Sequence, residues 1–125
     1  MKKAIALLLA LVMVFALCAC GGGGDSASGD KVVKIGVFEP ASGDSGAGGK
    51  KEMLGMQYAN QETPTVEIGG ETYKVELVYS DNGSDSAKAV SAASKLVNEK
   101  VSLVLGSYGS GVSIAASDTF KQAGI

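Results

Sequence analysis

The sequence predicts an α/β fold in which helices flank a parallel sheet, and three observations lead to this prediction. From residue 31 onward, apolar runs rich in β-branched residues alternate with amphipathic stretches. The apolar runs are nearly continuous, as in strands that are buried on both faces. Two alternating runs around Gly69-Gly70 predict a β-hairpin insertion near 65–79. The order β-α-β-α-β-α then requires right-handed crossovers between parallel strands.

The first half of this region supplies two strand signals around one helix. Residues 31–38, KVVKIGVF, form the first predicted strand, and residues 50–60 form a short amphipathic helix that Pro64 limits. In the hairpin, a Gly-Gly connection suits a primed turn because both positions can take positive φ. Residues 72–79 are the better strand of that pair.

The second half contains the strongest helix signal in the chain. Ser84 or Asp85 is the candidate N-cap, and the apolar residues behind it recur at helical spacing: Val90, Ala93, Leu96 and Val97. Residues 101–105 are predicted as another buried strand, and a helix over 112–122 follows it. Gly124 is the expected C-cap of this last helix.

The first 20 residues are typical of a secretion signal. Two lysines precede AIALLLALVMVFAL, which has the length of a signal h-region and is too short for a membrane span. The following Leu-Cys-Ala-Cys stretch resembles the lipobox of bacterial lipoproteins, in which the last Cys becomes the acylated first residue of the mature chain. We therefore expect a signal peptide over 1–19, a lipid on Cys20 and a flexible Gly/Ser tether over 20–30.

Two nearby cysteines also suggest a redox or metal pair as an alternative. Cys18 and Cys20 cannot complete a tetrahedral zinc site, because the sequence has no further Cys and no His. A disulfide framework is excluded because only Cys20 would stay in the mature chain. Removal of residues 1–19 also takes away two of the 11 basic residues and none of the 13 acids. This acidic balance argues against nucleic acid as a partner.

The glycine-rich stretch ASGDSGAGGKKEM, residues 41–53, lies between a predicted strand and helix, where phosphate-binding loops occur. Gly49 and Lys50 fit a P-loop, but Asp44 stands where the first glycine belongs and Lys51 where the hydroxyl belongs. A dinucleotide fingerprint would also need glycine at position 51. A flexible turn that feeds a helix is the favoured interpretation, and the sequence indicates no cofactor and no metal.

Catalysis has little support in the sequence. The chain has no His, its expected mature form has no free thiol, and no two carboxylates have neighbours that would evidently separate their pKa values. The stretch GSYGSG fails as a nucleophile elbow, because Tyr108 and Val112 stand where Gly-x-Ser-x-Gly requires glycines. We therefore expect a protein that is not an enzyme.

Three stretches carry a resemblance: KIGVFEPASGDSG, VYSDNGSDSAKAVSAASKLV and VSLVLGSYGSGVSIAASDTFKQAGI. They are similar to the amino-terminal third of the substrate-binding lipoproteins of branched-chain amino acid ABC transporters, which have a type I periplasmic-binding-protein fold. This implies two α/β lobes that close on a ligand, with residues 31–125 as the first, incomplete part of the amino-terminal lobe. The chain is then expected to stop within a βα repeat, and residues 61–73 depart from the usual connection.

The resemblance also implies partners and a location. We expect an extracytoplasmic protein, held to the cell membrane by the lipid on Cys20, that captures a small amino acid of branched-chain type or a related solute for import through an ABC transporter permease. The alternative is a lipid-anchored sensing module that presents the solute to a receptor or signalling enzyme. Adjacent permease and ATPase genes favour transport, whereas an adjacent kinase or cyclase gene favours sensing.

Ligands of parallel sheets bind outside the carboxyl ends of the strands, where this sequence places two Gly/Ser loops. A carboxylate can be bound there by small hydroxyls and by N–H groups at a helix N-terminus. By resemblance, Ser110 matches the carboxylate-binding serine of the family, with the N–H groups of Gly111 or Val112 as companions. Ser42 and Gly43 match the turn of the family in the first loop.

Several residues near the cleft have two possible roles, one toward the ligand and one in the structure of the loops. Tyr108 either walls the cleft or packs beneath its loop, and Ser107 either faces the ligand or caps the following helix. The family commonly has an aromatic residue near position 48, where this chain has Gly48 and so leaves room for a different or bulkier ligand. Asp81 and Asn82 end a strand near the cleft, and turn formation explains them equally well.

Overall fold

The computed structural model describes residues 31–125. The predicted signal peptide (1–19), the lipid on Cys20 and the tether (20–30) lie outside the described residues and stay predictions. The described part of the chain contains four strands and three helices. Their order is β1 (Val32–Val37), α1 (Gly46–Glu62), β2 (Thr65–Ile68), β3 (Glu71–Tyr79), α2 (Ser86–Asn98), β4 (Leu103–Leu105) and α3 (Ser110–Ala123).

The four strands form one sheet in the order β2-β3-β1-β4. Strand β1 pairs in parallel with β3 on one side and with β4 on the other, whereas β2 pairs antiparallel with β3. The β2–β3 turn is made by Gly69 and Gly70, whose φ angles of 62° and 81° are those that a primed turn requires. The predicted α/β fold, with its parallel sheet, flanking helices and hairpin insertion, is confirmed.

One face of the sheet is covered by α2 and α3. Leu96 from α2, Val112 from α3 and Phe38 at the end of β1 are buried together there. The rings of Phe38 and Phe120 meet edge to face with their centroids 5.4 Å apart, a geometry that aromatic pairs favour. This cluster holds α3, and therefore its first turn, at a fixed position against the strand ends.

The buried face of α2 differs from the predicted one. Val90 shares the helical spacing of Ala93, Leu96 and Val97, yet it is 48% exposed. The residues that α2 buries are mostly alanines: Ala89, Ala92, Ala93 and Leu96. Small side chains allow α2 to lie close to α3. The helix therefore buries the face that carries these alanines and Leu96, and Val90 lies outside that face.

The helix ends follow the capping rules closely. Of the two candidate N-caps of α2, it is Asp85 that caps the helix, since its Oδ1 accepts a hydrogen bond from the N–H of Ala87 at 2.7 Å. Gly124 ends α3 with a φ of 76°, as predicted for a left-handed C-cap.

Helix α1 begins at Gly46, four residues before the predicted start at Lys50. Because glycine has a low helix propensity, the glycines of this first turn did not indicate a helix in the sequence. The glycines are needed because the turn lies directly on the preceding loop: Gly46 and Gly49 are buried, and a Cβ at Gly49 would overlap the carbonyl oxygen of Pro40.

The second face of the sheet is only partly covered, by α1. An apolar groove of about 760 Å³ lies between this helix and the sheet, and Val33, Ile35 and Leu105 contribute to its wall. Strand β4 was expected to be buried, yet it has only three residues and Leu103 is 43% exposed. Burial of β1 and β4 on both faces is therefore wrong for the described residues, because one helix alone lies over this side. Across residues 31–125, none of the helices has the length and apolar character needed to span a membrane.

Candidate functional site

Three loops meet at the carboxyl ends of the parallel strands. We call them the first loop (residues 38–45, after β1), the second loop (80–85, after β3) and the third loop (106–109, after β4). Parallel strands end at the same edge of a sheet, so their loops share one crevice. The side chain of Asn82, which is fully buried, joins all three loops, because its Nδ2 donates to the carbonyl oxygen of Phe38 at 3.1 Å and to Ser107 Oγ at 3.3 Å.

Asp81 fixes the first loop to the second. Its Oδ1 accepts hydrogen bonds from the N–H groups of Ala41 and Gly83, both at 2.8 Å, and its Oδ2 accepts one from the hydroxyl of Ser42 at 2.7 Å. Burial alone would raise the pKa of Asp81, but the hydrogen bonds from Ser42, Gly83 and Ala41 outweigh it and lower the pKa. Asp81 is therefore an ionised clamp between two loops.

Ser42 and Gly43, two predicted site residues, lie within this clamped region. The hydroxyl of Ser42 is already engaged by Asp81, and the Ser42 carbonyl oxygen accepts a hydrogen bond from the Ser84 hydroxyl at 3.3 Å. Gly43 has a φ of 74°, and a Cβ there would overlap the carbonyl oxygen of Gly83. These two residues shape the rim of the crevice.

The third loop leads directly into α3, whose first residue is Ser110. Ser110 is exposed, and within the described residues its hydroxyl and its N–H make no hydrogen bond; the same holds for the N–H of Gly111. The N-cap residue, Gly109, has no side chain with which to satisfy these donors. The start of α3 thus presents several unpartnered donors at the positive end of the helix dipole.

Val112 differs from its two neighbours. Its N–H donates to the carbonyl oxygen of Gly109 at 3.1 Å, and its side chain is buried in the core cluster. Val112 therefore anchors α3 and has no N–H to offer a ligand, so the free donors at this helix end come from Ser110 and Gly111.

Ser107 has a structural position in the third loop. Its Oγ accepts hydrogen bonds from the N–H of Gly109 at 3.2 Å and from Asn82 Nδ2 at 3.3 Å, and its own N–H donates to Ser113 Oγ at 3.3 Å. These bonds hold the loop against α3 and the second loop. Ser107 therefore holds the loop together, but it does not cap α3, whose N-terminus has no hydrogen bond from a capping side chain.

Tyr108 stands beside Gly48 on the first turn of α1. A Cβ added at Gly48 would lie 2.7 Å from two carbons of the Tyr108 ring, so the ring fills the space that a side chain at position 48 would need. The ring is not packed beneath its loop, because Tyr108 is 54% exposed. Tyr108 of the third loop therefore places an aromatic ring where a side chain at position 48 would lie.

Glu39 is a buried acid at the crevice that the sequence reasoning missed. It is 1% exposed, its Oε2 accepts a hydrogen bond from the N–H of Tyr108 at 2.9 Å, and its Oε1 has no donor among the described residues. Burial raises the pKa of Glu39 to about 7; the Tyr108 N–H opposes this shift, whereas the hydrogen bond and charge of the nearby Glu52 carboxyl add to it. The sequence reasoning did not anticipate a carboxyl with a raised pKa at this position. Its sequence signal was an acid directly after an apolar run, in KIGVFEP.

Residues 31–125 contain no group of three or more His, Cys, Asp or Glu side chains placed to hold a metal ion. What the crevice offers instead is a set of hydrogen-bond donors at the start of α3, a half-exposed aromatic ring and a rim of close backbone turns.

Comparison with known proteins shows that the described residues match a known protein family. Residues 32–125 match the family model described as "Periplasmic binding protein". The Leu/Ile/Val-binding protein homolog 2 of Brucella abortus (strain 2308) is 32% identical over 93 residues, which are 74% of this chain and 25% of that protein. This chain therefore spans about a quarter of the length of that relative.

Two solved structures are similar to the described fold. The branched-chain amino acid transporter substrate binding protein LivJ from Streptococcus pneumoniae, in complex with isoleucine, matches with a TM-score of 0.66 and 34% identity over 76% of this chain and 27% of its own. An ABC transporter solute binding protein of R. palustris, in complex with benzoate, matches with a TM-score of 0.64 and 27% identity over 75% of this chain and 26% of its own.

Proposed function

Because the chain belongs to the periplasmic binding protein family, we propose that it is part of the extracytoplasmic solute-binding protein of an ABC transporter. The solute is a branched-chain amino acid or a related small carboxylate, which the protein captures and delivers to a permease for import. The observation that carries this proposal is the set of unpartnered donors at Ser110 and Gly111, at the strand edge where three loops meet.

The chemistry of the ligand follows from those donors. A helix N-terminus with a free hydroxyl and free N–H groups suits a small anion, since the donors converge on it and the helix dipole favours negative charge. Isoleucine and benzoate, the ligands in two similar structures, have different side groups but share a carboxylate. We therefore assign carboxylate binding to the hydroxyl of Ser110 and the N–H of Gly111.

Other residues of the crevice have supporting parts in this proposal. Tyr108 forms an aromatic wall for the side group of the solute, in the place that Gly48 leaves open. Ser42 and Gly43 set the rim through their contacts with Asp81 and Gly83, and Val112 holds α3 in place. In the two-lobed fold that the resemblance implies, a second lobe that residues 31–125 do not include would close over the solute.

The amino-terminal sequence adds an anchor to this proposal. Residues 1–19 direct secretion and are removed, Cys20 carries the lipid, and residues 20–30 are the tether between the membrane and the binding lobe. The solute is then captured at the extracytoplasmic face of the cell membrane, close to the permease.

The proposed carboxylate site is tested by Ser110→Ala in the full-length protein, with L-isoleucine, L-leucine and benzoate as probes in titration calorimetry. The variant should bind about 1.5 to 3 kcal/mol more weakly, the scale of a hydrogen bond to a charged group. Ser117→Ala is the matched control, because Ser117 is an exposed serine of α3 whose hydroxyl donates to the carbonyl oxygen of Ile114. Equal affinity of Ser110→Ala and wild type would remove Ser110 from the site, and failure of all three probes to bind wild type would contradict the proposed solute class.

A further inference from the structure

A buried carboxyl group lies directly behind the loop that precedes Ser110. The third loop contacts both oxygens of Glu39: the N–H of Tyr108 donates to Oε2 at 2.9 Å, and a Cβ added at Gly106 would lie 2.7 Å from Oε1. A side chain at position 106 would therefore collide with this carboxyl. Glu39 thus fixes where the third loop lies, and with it the start of α3.

The Oε1 atom of Glu39 needs a partner that neither solvent nor an N–H group supplies. It is shielded from solvent and accepts no hydrogen bond from the residues described here. The neighbouring polar group is the exposed carboxyl of Glu52 on α1, whose hydrogen bond and charge both act to raise the pKa of Glu39. Two ionised carboxylates only accept hydrogen bonds, so these two groups can join only if one of them carries a proton.

The other elements around this pair bring no compensating positive charge. The third loop contains no charged residue, and Asp81 of the second loop directs its carboxylate to Ala41 and Ser42. The ion pairs of residues 31–125 join Lys31 to Glu71 and Lys34 to Glu99, away from this site. Lys50 and Lys51 precede Glu52 on α1, but both are exposed and neither forms an ion pair with Glu39 or Glu52. Ionisation of both carboxyls would therefore leave two like charges close together without an ion pair to offset them.

We propose that Glu39 and Glu52 share one proton, and that this proton holds the third loop where Ser110 and Gly111 can bind the ligand carboxylate. The inference rests on the proposed function and adds positioning residues to the site. Loss of the proton leaves the buried Glu39 carboxylate charged behind the donors, close to the exposed Glu52 carboxylate, which repels an anionic ligand and loosens the Glu39–Glu52 contact. Ligand affinity then decreases as the pH rises, and by linkage the ligand increases the affinity of the pair for its proton.

The variant Glu39→Gln separates this role from a purely structural one. The glutamine amide oxygen can still accept from the N–H of Tyr108, and its amide nitrogen can donate to Glu52, so the side chain imitates the protonated acid permanently. Glu62→Gln is the matched control, since Glu62 is an exposed acid at the other end of α1. Both variants remove one carboxylate, but only the first removes the shared proton.

The experiment measures L-isoleucine binding to the full-length protein by calorimetry in buffers of different ionisation enthalpy. Because the pKa of Glu39 is raised to about 7, wild type and Glu62→Gln should take up a fraction of a proton on binding near neutral pH. Both should lose up to about tenfold in affinity as the pH rises by one to two units above that pKa. Glu39→Gln should show no proton uptake and a flat affinity. Proton uptake that persists in Glu39→Gln would overturn the proposal.

A measurement without ligand keeps this test separate from the proposed function. The backbone amide signal of Tyr108 in NMR should shift with pH and have an inflection near the raised pKa of Glu39, about 7. This inflection should be absent in Glu39→Gln and present in Glu62→Gln. If L-isoleucine fails to bind any variant but the inflection is found, the carboxyl pair stands and the proposed ligand is wrong. A wild-type signal that does not change with pH overturns the pair.

Discussion

Asp81 shows how a single residue sets the geometry of the crevice. Its carboxylate accepts hydrogen bonds from two residues of the first loop, Ala41 and Ser42, and from Gly83 of its own loop. These bonds lower its pKa below the ordinary value of 3.8, although burial acts in the opposite direction. A carboxyl with a lowered pKa stabilises the fold above its unfolded-state pKa, and this contribution is lost as the pH falls through the folded-state pKa.

The substitution Asp81→Asn should therefore destabilise the protein in a pH-dependent way. The amide nitrogen of the new side chain cannot accept the Ser42 hydroxyl, so the free energy of unfolding should fall by about 1 kcal/mol at neutral pH, a value that allows for solvent exposure. Urea denaturation of the full-length protein at neutral pH and at about pH 3 measures this. The difference from wild type should shrink in acid. Asp118→Asn, at an exposed position of α3, is the control, and a difference that is equal at both pH values would contradict the clamp.

For single residues, the sequence predicted the place in a helix or loop better than the surroundings of the side chain. Ser110 and Gly111 could be placed at a helix N-terminus because a Gly/Ser loop precedes an apolar periodic stretch. Glu39 could not be recognised, because its environment depends on Glu52 and Tyr108, which are distant in sequence. Gly48 was predicted to leave a gap, and only the structure shows that the ring of Tyr108 fills it.

At the scale of elements, the number, order and type were predictable, and the boundaries less so. Apolar periodicity and turn glycines identified the four strands and three helices of residues 31–125. The start of α1 at Gly46 was missed because close contacts with the first loop, of Gly46 with Ala41 and of Gly49 with Pro40, and not helix propensity, select glycine in this turn. The exposure of Val90 was missed for a related reason, since close packing between α2 and α3 decides which face is buried.

On the scale of the whole molecule, the parallel sheet brings three loops to one edge and leaves its two faces unequal. The α2 and α3 face is packed, and the face below α1 retains an apolar groove of about 760 Å³. The proposed site does not lie in that groove, although Glu52 borders it. The carboxyl pair thus lies between the groove and the loop that presents Ser110, and it joins the packing of α1 to the geometry of the crevice.

Anchoring also belongs to this scale, because it concerns where the whole protein works. Cys20→Ser should abolish acylation and move the full-length protein from the membrane fraction to the soluble extracytoplasmic fraction. Because we assign the anchor to one lipidated residue, the share of protein in the membrane fraction reports on that residue directly. Cell fractionation with an antibody against the binding lobe measures this share. Cys18→Ser is the control, because residue 18 lies within the predicted signal peptide. Continued membrane association of Cys20→Ser would count against lipidation at that residue.

The most direct test of the account is a crystal structure of the full-length protein with L-isoleucine bound. We predict that the ligand carboxylate lies about 2.7 to 3.2 Å from both Ser110 Oγ and the N–H nitrogen of Gly111. The ring of Tyr108 should then line the same crevice. A carboxylate bound away from the start of α3, with Ser110 and Gly111 still unpartnered, would contradict the central claim.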